Sequence, residues 1–527
     1  MRQRIISFLD YISRLSSKRI IFILVVLVAV AYLNSLSVYF IWDDYAAVVS
    51  NANIRNPSLN NILKPLYQDD SPSVAKAPVY FRPLQVLSYA LDYRVWRLNP
   101  LGYHVTNIIL HAANTVLLYL LLSFLFKDSL FAFLGSALAA VNPIFTSSVT
   151  YISGRGDILS IFFVLLTCIG FIKGIQENKL SVLFYCLSLF FSFFLLLSRE
   201  IGGVCVLFLI MIDKLVFKYS NTKPKNFIYI PFLLILLSWQ YLKPAAAAGF
   251  HLTAANLLGA PLGFLTLLKG MSIYTFLAII PFHLRMGRSI TIISTLQDAW
   301  VYVSLIFLIV IIALCIMGMR KNKLIIFGLF WFYAPLFIML LFNYFFAKKD
   351  TNIMLPEHNL YFSYAGLIIL FLAVITSLKL KINARRLLAS VFLFFIIFYA
   401  GLTISENFIW QDEIRFFQTN IKYNRDSAFN FMTYVNLGFA YERAKKFRQA
   451  EESFKLAAER SGRNPYFYNM LASFYIQQRD FDKALKTLMF SKGLDMSFYN
   501  TYVLLGISHA GQAGAVSRKR LGSSTDN

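Results

Sequence analysis
From Ile20 to Ile41 the chain is aliphatic or aromatic at every position except Asn34, Ser35 and Ser37. Runs of this kind recur along the sequence without a period-two alternation and without a polar stripe. Each reads as a helix surrounded by hydrocarbon, where about twenty apolar residues cross about 30 Å. The expected spans are 20–41, 104–126, 129–149, 158–174, 180–197, 201–217, 227–243, 299–318, 325–346, 361–379 and 387–405, about eleven in all. Residues 252–284 are apolar but interrupted by Lys269 and Gly270, and are expected to form a re-entrant or interfacial hairpin buried by protein. The alternating pattern of transmembrane strands is absent. The fold class that follows is all-α, a polytopic helical membrane bundle.

Two stretches depart from this pattern. The loop at 42–103 contains "VYFRPLQVLSYALDYRVWRLNPLGYH", where aromatics mix with Arg82, Arg94 and Arg97 at a spacing that suits an amphipathic helix in the membrane interface. The tail from 406 repeats itself. "NLGFAYERAKKFRQAEESF" from Asn436 returns as "MLASFYIQQRDFDKALKTL" from Met470, an offset of 34 residues, and a third copy starts at Leu505 and breaks off. That period, with small residues where paired helices touch, is the pattern of tetratricopeptide repeats. The expected organisation is an N-terminal segment 1–19, a membrane domain 20–405, a short repeat domain 406–510 and a disordered end 511–527.

Composition agrees with a membrane class: 58% of residues are hydrophobic, 17% aromatic and only 14% charged. The net charge of +24 does not point to nucleic acid. Lys and Arg gather in short clusters between spans (Arg14, Lys18 and Arg19; Lys214 and Lys218; Arg320, Lys321 and Lys323; Arg385 and Arg386), the signature of cytoplasmic loops. An N-terminus on the cytoplasmic side then sends the repeat tail to the periplasm or an organelle lumen. The first run is too long for a signal-peptide core and lacks a small-residue cleavage site, so it is expected to be retained. Cys168, Cys186, Cys205 and Cys315 all lie in apolar runs without CxxC spacing, which implies neither a disulfide framework nor a zinc site.

The chemistry is confined to the expected outer face. Asp43 and Asp44 follow the first span directly, where carboxylates are costly to desolvate. They cap a span end or they act on a substrate. Other charges cluster at span ends: Arg155 and Asp157 in "ISGRGD", Arg199 and Glu200 in "SREIGG", Glu357 and His358 in "PEHNLYF". Each of these pairs is equally explicable as a local ion pair or as part of a site. His104 and His111 are seven apart and share one helix face, where packing is the commoner role. Asp69 and Asp70 beside Ser71 and Pro72 suit a solvated turn. No His, Asp or Glu set has metal-ligand spacing, and no metal or other cofactor is expected. Together the pieces imply carboxylates able to take a proton and arginines able to fork onto a phosphate.

The ordered set "FIWDDYAAVVSNANIRN", "YFRPLQVLSYALDYRVWRLNPLGYHVTNIILHAANTVLLYLL", "NPIFTSSVTYISGRGDILS", "SREIGG" and "PEHNLYFSYAGL", followed by the repeats, resembles the membrane glycosyltransferases of the GT-C superfamily. Within it the likeness is greatest to the transmembrane-and-tetratricopeptide O-mannosyltransferases and their bacterial relatives, over about residues 20–510. The resemblance implies a periplasmic or luminal site, a polyprenyl- or dolichyl-phosphate sugar donor and inverting transfer without a metal. It implies Asp43 as general base and Asp44 as its supporting carboxylate, with the order of the two open. Arg155 and Arg199 would contact donor phosphate, and Glu200, His104, Asp157, Glu357, His358 and Tyr361 would form the site wall. Relatives often carry Lys before the Glu of "SREIGG" and Arg after the Glu of "PEHNLYF", so Arg199 and His358 depart from the pattern.

The acceptor implied is a hydroxyl of an exported protein, with peptide contact through the repeats. A glycan or lipid acceptor, or a non-catalytic membrane scaffold presenting the repeats, are the alternatives. A transporter would need charges at mid-bilayer and an internal two-fold repeat, and neither is found. The sequence holds no N-x-Ser/Thr glycan acceptor site, which favours a bacterial inner membrane over the endoplasmic reticulum.

Overall fold
The computed structural model describes residues 15–66, 80–176, 179–216, 226–242, 261–346, 352–424 and 430–523. Asp69, Asp70, Glu177, Asp350 and residues 252–260 lie outside the described residues. The chain divides into two compact units, with the main boundary between Gln411 and Asp412.

The first unit is built from apolar helices: α1 (Ser17–Tyr32), α2 (Pro83–Trp96), α3 (Pro100–Phe126), α4 (Ser129–Ala140), α5 (Arg155–Gly174), α6 (Ser181–Ser198), α7 (Pro261–Ile279), α8 (Ala299–Arg320), α9 (Leu324–Phe346), α10 (Asn359–Ser377) and α11 (Ile382–Trp410). Among the described residues nine helices are long and apolar enough to cross a membrane, and ten if α4 and the following Pro143–Val149 are one bent span. The chain is thus an integral, multi-pass membrane protein. The bend of 48° has a local cause. Asn142 accepts from the N–H of Ile144 at 3.0 Å and Pro143 cannot donate, so the helix must restart there.

Two expected spans and the expected hairpin come out differently. Residues 201–217 do not form one helix: the glycine pair of "EIGGV" yields a 3-10 turn (Glu200–Val204), a short helix (Cys205–Met211) and a π turn (Ile212–Val216). The 227–243 run gives only a short apolar helix, Phe227–Trp239. Residues 261–279, expected to be part of a re-entrant hairpin, form a helix of spanning length in α7. Lys269, which broke the apolar run, is 3% exposed. Its ammonium donates to the carbonyl and hydroxyl of Thr291, both at 3.0 Å, so the charge is satisfied without interrupting the helix.

Helix contacts use small residues, as expected where lipid gives no hydrophobic drive between helices. At Gly366 in α10, a Cβ would lie 2.4 Å from the backbone nitrogen of Phe332 in α9, so those helices approach to backbone contact. Buried amides tie the ends together. Asn407 of α11 donates to the Ala31 carbonyl of α1 at 3.1 Å and accepts from Thr150 at 2.6 Å. These bonds bring the segments leaving the first span and entering α5 to one end of the bundle.

The second unit consists of α12 (Glu413–Tyr423), α13 (Asn430–Arg443), α14 (Phe447–Arg460), α15 (Pro465–Gln477), α16 (Phe481–Leu494) and α17 (Tyr499–Ser523). Phe447 and Phe481, 34 residues apart, each begin a helix. The small residues sit at helix contacts: Ala450 and Ala484 are fully buried, and a Cβ on Gly438 would meet the Phe454 ring at 2.8 Å. The end expected to be disordered from 511 is helical as far as Ser523. Gly511 explains this, since it lies directly against the Phe481 ring and gives α17 a packed face.

Candidate active site
The segment after α1 turns sharply. Trp42 adopts φ +56°, a left-handed conformation that a bulky residue holds only when its surroundings compel it. Asp44 is the clamp. One carboxylate oxygen accepts from the N–H and hydroxyl of Ser153 at 2.7 and 2.6 Å, and the other accepts from the Ile41 N–H at 3.1 Å. The side chain is 1% exposed, and burial pushes its carboxyl up to about 7 against the pull of those donors. Asp43, next in the turn, is half-buried. Its N–H donates to the Tyr151 hydroxyl at 3.2 Å, and the same hydroxyl donates to its carboxylate. Burial raises the Asp43 carboxyl, while Tyr151 and the nearby charge of Arg82 lower it.

Arg82 is the cation that faces Asp43. It stands at the N-terminus of α2, fixed by Pro83 in the first turn. Its guanidinium lies over the Tyr80 ring at 4.5 Å and pairs with Glu200 at 3.5 Å. Gly156 makes room for the neighbouring Gln85: a Cβ there would meet the Gln85 side-chain oxygen at 2.5 Å, while an Arg82 nitrogen at 3.5 Å would be in ordinary contact. Arg199 lies in the same cluster. It pairs with Asp157 of α5 and donates to the side chain of Asn359 at 2.8 Å. Its Nε has no partner among the described residues. Burial, then the like charge of Arg82, lower Arg199 to about 9, so it stays charged at neutral pH. Two guanidiniums thus lie in one cluster, each paired with a carboxylate, Arg82 with Glu200 and Arg199 with Asp157.

His358 belongs to this cluster and is not a cation. Burial and the charges of Arg199 and Arg82 hold its imidazole well below the usual range. Glu357 is buried and accepts from the Arg285 N–H at 3.0 Å. Tyr274 of α7 donates to the Pro356 carbonyl at 3.1 Å, which fixes the loop that carries both. After Glu200, Gly202 and Gly203 border a shallow apolar groove with Leu196, Cys205, Phe232 and Leu236.

Other expected site residues serve the scaffold. Arg155 is wholly buried. It donates to Asn107 at 2.7 Å and to the Tyr103 carbonyl at 2.8 Å, and it pairs with Asp92. With all three nitrogens engaged inside the chain, it is not placed to hold a phosphate, and its partner is Asp92 rather than Asp157. His104 is buried against the Val38 carbonyl at 2.9 Å. Tyr361 is buried between His111 at 2.7 Å and Asn114 at 3.1 Å. Tyr361 is a core residue and not site wall, because its hydroxyl is consumed by bonds to α3, whereas the buried Nδ1 of His104 has no partner among the described residues.

The sequence pattern gives Arg82 only as part of an interfacial helix and does not mark Tyr80 or Tyr151. A signal existed for Arg82, since an Arg immediately before Pro at a helix start presents its side chain beyond the helix end. Among the described residues no group of His, Cys, Asp and Glu could hold a metal ion.

No family model matches the chain. A Caenorhabditis elegans protein named protein O-mannosyl-transferase F38B6.6 is 30% identical over 295 residues, which is 54% of this chain and 41% of that one. The human protein O-mannosyl-transferase TMTC3 is 33% identical over 200 residues, 36% of this chain and 21% of that one. The resemblance to O-mannosyltransferases read from the motifs is therefore found, although the chain spans less than half the length of these relatives. The crystal structure of ArnT from Cupriavidus metallidurans bound to undecaprenyl phosphate aligns with 89% of this chain and 79% of that one, at a TM-score of 0.40 and 11% identity.

Proposed function
We propose that the chain is a membrane glycosyltransferase that moves a sugar from a polyprenyl phosphate to a hydroxyl of an exported protein. The observation that carries this is the pairing of a half-buried carboxylate, Asp43, with an Arg82–Arg199 cluster on one end of an apolar bundle. Relatives named protein O-mannosyl-transferases support the reaction class.

In this reading Asp43 accepts the proton of the acceptor hydroxyl as that oxygen attacks the anomeric carbon. The bond from that carbon to the phosphate oxygen breaks on the opposite face. The bonding pair leaves with the lipid phosphate, so configuration inverts. Arg82 and the spare Nε–H of Arg199 stabilise the departing phosphate, which gains charge in the transition state. Asp44 holds the turn and takes no proton from substrate. The site faces the periplasm or lumen, with the N-terminus cytoplasmic, and the helical second unit contacts the acceptor as a tetratricopeptide array.

The test uses the full chain in lipid nanodiscs with mannosyl polyprenyl phosphate and a Ser/Thr-rich peptide, read by intact mass. Wild type is expected to add hexose and Asp43→Asn to lose at least about 10²-fold in rate while melting normally. Undiminished transfer by Asp43→Asn overturns the assignment.

A further inference from the structure
Two residues of one short segment, Tyr151 and Ser153, grip the two aspartates. Ser153 holds the Asp44 carboxylate through its N–H and hydroxyl, and Tyr151 holds Asp43 through its phenol. The two grips differ in kind. Asp44 is sealed from solvent, so its bonds serve the fold. Asp43 is open on one side and faces the Arg82 cation. An untethered carboxylate beside a guanidinium closes onto it as a forked pair, which would occupy both oxygens and spend the arginine.

The Tyr151 hydroxyl has one proton and two lone pairs. It accepts from the Asp43 N–H at 3.2 Å and directs its proton to the carboxylate of the same residue. The phenol is itself immobilised. Its side chain is 4% exposed, its ring lies 5.8 Å from that of Trp410, and its backbone is bonded to the Thr146 carbonyl at 3.1 Å and the Asn107 amide at 3.4 Å. A tyrosine built this rigidly bonds to a side chain only in one orientation.

We propose that Tyr151 is a positioning residue that holds the Asp43 carboxylate away from Arg82 and aimed at the acceptor. This rests on the reading of Asp43 as the base. The groups facing Asp43 that titrate or carry charge are Asp44 in its own turn, Tyr80 and Arg82 from the segment entering α2, and Tyr151.

The test compares wild type, Tyr151→Phe and a 3,5-difluorotyrosine substitution at 151, each as the full chain in nanodiscs. Dicyclohexylcarbodiimide, which attacks protonated carboxyls, is the probe, and labelling of Asp43 is followed against pH by tandem mass spectrometry. Loss of the phenol hydroxyl lets the carboxylate close onto the Arg82 guanidinium, so the labelling midpoint is expected to fall by about one pH unit, tenfold in proton affinity. The difluorophenol, which keeps a donor in the same place, is expected to keep kcat and donor KM close to wild type. In sugar transfer, Tyr151→Phe is expected to lose about tenfold in kcat at every pH and to raise KM for mannosyl polyprenyl phosphate, because Arg82 is spent on Asp43. A midpoint that is unmoved or raised in Tyr151→Phe, or an unchanged KM, overturns the proposal. Asp43→Asn separates the two claims: its activity reports on the base, while the labelling shift reports on the Tyr151 grip alone.

Discussion
Replacing Arg155 by Met distinguishes a scaffold arginine from a ligand-binding one. The guanidinium donates to Asn107 and to the Tyr103 carbonyl, pairs with Asp92, and stacks over the Tyr89 ring at 4.8 Å. It is wholly buried, so its removal leaves Asp92, 7% exposed, as an uncompensated charge. Breaking one side of a buried pair of this kind costs about 3–5 kcal/mol. Removing both charges should recover most of that, because an apolar replacement of a buried ion pair is often neutral or better. Asp92→Leu is tolerable in that background, since Thr106, which bonds Asp92 at 2.7 Å, also bonds the Gly102 carbonyl at 3.2 Å. The assay is thermal melting in nanodiscs by tryptophan fluorescence, followed by transfer kinetics on the folded fraction. Arg155→Met should melt well below wild type, the Arg155→Met/Asp92→Leu double variant should regain most of the difference, and the folded fraction should keep its KM for donor. Normal melting with a tenfold rise in that KM would refute the reasoning and return Arg155 to the phosphate.

Arg82→Gln should give the reverse pattern: its bridge to Glu200 is partly exposed and contributes at most about 1 kcal/mol, so melting holds while donor KM rises about 10- to 100-fold, with Arg82→Lys in between. Asp44 predicts a pH dependence of stability. Its folded-state carboxyl lies near 7, above the unfolded value of about 3.9, so the folded state holds the extra proton between those limits. Stability should therefore fall by up to about 1.4 kcal/mol per pH unit as pH rises from about 4 to 7 and level off above; Asp44→Asn should flatten that slope in urea titrations. Gly156→Val should cost about 1–3 kcal/mol by melting, because the Gln85 oxygen it meets belongs to a side chain pinned to Tyr89 at 2.9 Å and Ser153 at 3.0 Å.

The parts of this molecule that reveal themselves in sequence are those governed by local patterns. Continuous apolar runs mark the spans because every lipid-facing position obeys the same solvent, and the 34-residue offset marks paired helices because small residues recur at each contact. Patterns mislead where tertiary partners decide. Lys269 looks like a break until Thr291 satisfies it. Arg155 and Asp157 look like a pair because they are two apart, yet at the start of α5 they point to different neighbours, Asp92 and Arg199. Arg82 and Glu200 lie over a hundred residues apart, and no spacing rule joins them.

The neighbouring aspartates show why residue type alone cannot assign chemistry. Both follow one span and share one turn, so sequence treats them alike. Asp44 has three donors and almost no exposure, and a carboxylate so enclosed cannot reach a substrate hydroxyl. Its bonds to Ser153 and Ile41 instead stabilise the left-handed Trp42, and that strained residue is what turns Asp43 outward. Asp43 keeps partial exposure and a facing cation, so burial raises its carboxyl less freely and the side chain stays reachable. The division of labour follows from enclosure: the aspartate that folding needs is the one sealed in, and the one left half-open is the one with a lone pair to offer.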